Sequence, residues 1–109
     1  MKPKSETHID FDDFYDILDH LEIRTGLFLL KKDLDLLYSF ISGISMLEMN
    51  NKLNLKNIDK FYDFSLFVHQ KLELQTKNTS WFGAIRYEFG SDEKGFNKFF
   101  EYLNEFRKK

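Results

Sequence analysis

The chain has 109 residues, of which 42% are hydrophobic and 17% aromatic, and a net charge of −2. That length suits one domain with one core, and 13 Phe, 5 Tyr and a single Trp supply the core material, which excludes a disordered chain. The lack of cysteine excludes disulfide frameworks and thiolate zinc sites.

No apolar run approaches the ~20 residues that span a bilayer. Lys2 and Lys4 are followed by acidic residues rather than an apolar segment, so no signal peptide is expected and the cytoplasm is the expected location. Residues 1–9 read as a flexible arm. From Ser5 to Ile23 the charged residues are all acidic: Glu6, Asp10, Asp12, Asp13, Asp16, Asp19 and Glu22. The rest of the chain is therefore net basic. Such asymmetry is what a surface for a cationic partner would show. The plainer reading is a solvated helix face, with acid at the helix start where the dipole favours it.

Phe11, Phe14, Tyr15, Leu18 and Leu21 fall at helical spacing, with Asp10 as a suitable N-cap and Gly26 as a stop. In such a helix Asp12, Asp16 and Asp19 share one side, with Asp13 beside them, opposed to the apolar stripe. Residues 27–30 are wholly apolar and could form a buried connector, a brief strand or a helix start. Asp33 can cap a second helix running to Met49 with the stripe Leu34, Leu37, Tyr38, Ile41 and Ile44. Gly43, between Ser42 and Ser45, would let a neighbouring helix approach closely.

Four Asn within residues 50–57 mark a loop. A third helix starts near Asn57 or Asp59 with the stripe Phe61, Phe64, Ser65, Val68 and Leu72, and residues 75–79 read as a second loop. Ser80 can cap a fourth helix through Trp81, Phe82, Ile85 and Phe89, ended by Gly90. Ser91 can cap a fifth, with Phe96, Phe99, Phe100, Leu103 and Phe106 as its stripe. The expected fold is all-α: a compact bundle of about five helices in a single domain over residues 1–109. Its core is expected to join Phe99, Phe100, Leu103 and Phe106 to Ile41, Ile44, Phe64 and Val68.

Catalytic and ligand motifs are missing. No glycine spacing matches a phosphate loop, and the acidic start Asp10-Phe11-Asp12 breaks off before a calcium loop is complete. His8, His20 and His69 are far apart and read as surface or packing residues. Lys52, Lys56 and Lys60 straddle a loop and carry no aromatic platform, so direct nucleic-acid binding is not expected. No enzyme activity, cofactor or metal is expected. Trp81 can be a binding anchor or a plug at the end of the core, the core being the commoner fate.

The C-terminal stretch carries Trp81 in a short helix, a Gly90-Ser91-Asp92-Glu93 junction and the closing pattern Phe99-Phe100 with Leu103 and Phe106. It resembles a group of small bacterial proteins with these features. Arg24-Thr25-Gly26-Leu27-Phe28-Leu29-Leu30 takes the place of that group's Arg-Pro-Gly-Met-Tyr-Leu-Gly-like segment, with Thr25 for the proline and Leu30 for the last glycine. The group is similar to immunity proteins encoded beside polymorphic or contact-dependent growth inhibition toxins. The resemblance implies a bacterial, cytoplasmic toxin inhibitor that works through protein–protein interaction on a cognate toxin C-terminal domain, often a nuclease. It would be a monomer or weak homodimer that touches neither nucleic acid nor membrane. Asp12, Asp13, Asp16 and Asp19 are the expected toxin-binding residues, with Trp81 and Tyr87 as further contacts. The alternative is a non-enzymatic regulatory or adaptor domain.

Overall fold

A computed structural model describes residues 11–73 and 80–108. The fold is all-α. Six helices follow one another among the described residues: α1 Phe14–Ile23, α2 Leu34–Met49, α3 Ile58–Phe61, α4 Phe64–Lys71, α5 Trp81–Phe89 and α6 Glu93–Arg107. The expected arm at 1–9, the cap at Asp10 and the loop at 75–79 lie outside the described residues.

The first helix begins later than its apolar spacing suggests. Lys56 donates its backbone N–H to the Asp12 carbonyl at 2.7 Å, and Phe14 donates to the Lys56 carbonyl at 3.0 Å. This short bridge holds Asp13 extended against the loop before α3. Asp13, not Asp10, is the N-cap, accepting from the Tyr15 N–H at 3.0 Å and from the Asn57 side-chain amide at 3.0 Å. Phe11 accordingly stays outside the core and is exposed.

After α1, Thr25–Leu27 form one 3-10 turn. The apolar run 27–30 is not a buried unit: Leu29 packs inward, while Leu27 and Leu30 face solvent. Asp33 caps α2 as expected, accepting from the Leu36 N–H at 2.9 Å. The expected third helix is split in two. At Tyr62 and Asp63 the backbone N–H groups reach back three residues, to the carbonyls of Asp59 and Lys60, so the chain tightens there and starts afresh at Phe64.

Ser80 caps α5 and Gly90, at φ 93°, ends it. Asp92 rather than Ser91 caps α6. The Ser91 carbonyl instead accepts from the Leu34 N–H at 2.7 Å, which ties the α5–α6 junction to the start of α2. Gly95 is required at that junction, because a Cβ there would run into the Gly90 carbonyl and press on Leu34.

Rings dominate the core. Phe99 sits among Phe61, Phe64, Trp81 and Phe100, with centroids 4.8–6.2 Å away. Phe14 of α1 reaches the same cluster through Phe61, at 5.0 Å. Of the expected core, Phe99, Phe100, Leu103, Ile41, Phe64 and Val68 are buried, while Ile44 and Phe106 are partly buried at its edge. Gly43 does not serve close helix packing: a Cβ built on it meets nothing within 4 Å.

Candidate functional site

The acidic residues of the first helix do not form one face. Asp12 precedes α1, is exposed, and has its backbone in the bridge to Lys56. Asp13 is engaged as the cap. Asp16 is buried, with His20 Nδ1 2.9 Å from its carbonyl oxygen and 3.7 Å from its carboxylate. Asp19 pairs with Arg107 at 2.6 Å, and the same guanidinium lies 4.4 Å from the Tyr15 ring centroid. The sequence places three carboxylates at i, i+4 and i+7. The fold breaks that register by starting the helix after Asp12 and turning Asp16 inward. Tyr87 is 87% exposed on α5, far along the helix from Trp81, which is buried among Tyr38, Phe61, Phe64, Phe82 and Phe99.

A different surface gathers what a partner could use. Between Asp35 and Glu48, α2 carries no charged residue. A helix so apolar on every side would ordinarily be wrapped by neighbours. Here Leu34, Leu37 and Ile41 face the core, while Met46, Leu47 and Met49 remain exposed, Met46 at 65% and Met49 at 75%. Beside them Tyr62, at the break between α3 and α4, is also exposed.

Together α2, the α3–α4 break and the start of α5 enclose a groove of about 430 Å³. Tyr38, Phe61, Tyr62 and Trp81 give it aromatic walls, and Met46 and Met49 line its outer side. Its polar groups are the hydroxyls of Ser42, Ser45, Ser65, Tyr38 and Tyr62 and the Asn50 amide, with no charged residue in the lining. Ser65 Oγ accepts from the Trp81 N–H at 3.0 Å, which fixes the start of α5 against α4. At the rim, the Tyr62 hydroxyl donates to Glu48 Oε1 at 3.0 Å. Partial burial, then that hydrogen bond, and then the charges of Glu48 and Asp59 hold the phenol above its ordinary pKa, so it stays protonated as the donor.

The groove offers contact chemistry. Neither His20 nor His69 is in its lining, so its serines have no imidazole beside them there. Among the described residues no group of three or more His, Cys, Asp or Glu side chains could hold a metal ion, and no helix is long and apolar enough to cross a membrane.

Sequence reasoning named Trp81 here but missed Met46, Met49 and Tyr62. A signal for the methionines was present: both lie off the inward stripe of a helix that also lacks charge on its other faces. Comparison with protein-family models, curated proteins and solved structures found no match to this chain.

Proposed function

We propose that this chain is a protein-binding domain that acts as an immunity protein. In this reading it docks on a cognate toxin domain, of nuclease type, in the cytoplasm and neutralises it without chemistry of its own. The observation that supports the reading is the apolar outer surface of α2 together with the exposed Tyr62 beside it. Exposed thioethers and rings add little to the stability of the free domain. Covering them with a partner is favourable by roughly 25 cal/mol per Å² of apolar area. Methionine suits such a face because its unbranched, polarisable side chain adapts to the surface it meets.

The partner class comes from the resemblance carried by Trp81, the Gly90–Ser91 junction and the Phe99-Phe100 closing helix. A regulatory or adaptor domain would use the same surface for a different partner. Expression of this chain in cells challenged with the C-terminal toxin domain from a neighbouring gene should restore growth, and the two proteins should co-elute as a complex. Continued arrest despite soluble expression, or a gene neighbourhood with no toxin, overturns the immunity reading in favour of the adaptor.

A further inference from the structure

The α2 side of the groove has no basic residue of its own. From Asp33 to Asn51 the chain has no Lys or Arg. Of the three acids in that stretch, Asp33 caps α2, and Asp35 is matched by Arg86 at 3.1 Å. The third, Glu48, meets only the neutral Tyr62 hydroxyl among the contacts seen at the rim. Asp59 adds a second negative charge that Tyr62 feels. The nearest lysines along the chain line other depressions: Lys52 lies with Asp12 and Leu55, and Lys60 with Tyr15 and Arg107. The groove is thus an aromatic and thioether floor beneath an acidic rim.

We infer that this groove receives a basic amphipathic segment of the partner protein, with apolar side chains seated between Tyr38, Trp81 and the two methionines and a Lys or Arg on Glu48. The inference rests on the protein-binding reading above and adds the chemistry of the bound segment. The apolar part supplies contact area. The rim charge selects the sign of the partner and speeds encounter.

Trp81 is the only tryptophan in the chain and lines the groove, so its fluorescence reports occupancy directly. The probes are an amphipathic Leu/Lys peptide without aromatic residues and a twin with Glu at every Lys position. The Leu/Lys peptide should change Trp81 emission saturably, and the twin should bind on the order of tenfold more weakly or not at all. Glu48→Lys should erase the preference. Glu48→Gln, which keeps an acceptor for Tyr62, should shift it the same way by less. Met46→Ser with Met49→Ser, which strips apolar area from the groove without adding charge, should abolish binding while the helical circular dichroism stays that of wild type.

Equal titration by both peptides overturns the inference, as does Leu/Lys binding indifferent to Glu48. A wild-type dimer dissociated by the two Met→Ser changes also overturns it, since a second copy would then be the occupant. Cell protection separates the two proposals. If the double methionine variant protects as well as wild type, the groove inference falls and the immunity reading stands. If the peptides bind the groove of a chain that fails to protect, the reverse holds.

Discussion

At the start of α1, side chains that look available to a partner are taken up by the fold. Asp13 caps the helix and holds Asn57, Asp16 is turned inside, and Asp19 is paired with Arg107. At the far end of α2, side chains that look destined for the core are left in solvent, Met46, Leu47 and Met49 among them. The difference teaches that a run of one residue type marks where a segment is unusual without saying what it is for. Carboxylates have local uses, such as capping and pairing, that compete with recognition. Thioethers and aliphatic groups have no use but burial, so their exposure in a folded chain points outward.

The hardest test of that contrast sets Phe14 against Met49. Phe14 is fully buried, with its ring 5.0 Å from Phe61, so Phe14→Ala should cost about 3–5 kcal/mol. Met49→Ala, on the exposed end of α2, should change stability by under about 0.5 kcal/mol. Urea denaturation of both variants measures the difference. A large loss for Met49→Ala would mean that the outer face of α2 is covered in the free protein, and the contrast would collapse.

A smaller effect separates the acids from one another. Asp13→Ala removes the cap of α1 and leaves the Asn57 amide without this acceptor, and should cost about 1–2 kcal/mol. Asp12→Ala, at an exposed position before the helix, should cost less. Thermal melts compare them, and a double-mutant cycle with Asn57→Ala should show coupling for Asp13. If Asp12 and Asp13 prove interchangeable, the cap does not set the start of α1.

Much of the fold was open to a reading of the sequence. The helical stripes of α2 and α6, the starts at Asp33 and Ser80 and the stop at Gly90 are local properties, and they appear where the spacing puts them. Three features could not be read this way, the first two because they depend on contacts far along the chain. The start of α1 is set by backbone pairing with Lys56, the cap of α6 by the use of the Ser91 carbonyl on Leu34, and the break at Tyr62 by tightened backbone bonds beside the ring cluster. The groove depends on that break and on the seating of Trp81, so only its apolar α2 wall could have been anticipated. Asp12, Asp16 and Asp19 share a helical spacing, but spacing alone does not show that Asp16 turns inward or that α6 delivers Arg107 to Asp19.

The subtlest expected effect concerns Glu22, an α1 acid that the fold works against. Partial burial, and then the charge of Asp19, raise its pKa above the ordinary carboxylate value, with Lys32 and Arg107 offsetting this only in part. Because the folded pKa lies above the unfolded one, the native state holds this proton more tightly than the unfolded chain does. The resulting stabilisation is fully present below the unfolded value of about 4.3 and is lost as pH rises through the folded value. At pH 7 the ionised Glu22 therefore opposes folding. Glu22→Gln should raise the Tm slightly at pH 7, and the gain should shrink as the pH falls and vanish below about pH 4. Melting curves across that range check the sign. A gain that persists in acid would mean that the amide packs better for reasons unrelated to charge, and no gain at pH 7 would place Glu22 with the acids that the fold accommodates. The expected profile instead sets Glu22 apart from Asp13 and Asp19 as an acid of α1 that gives the fold no support at neutral pH.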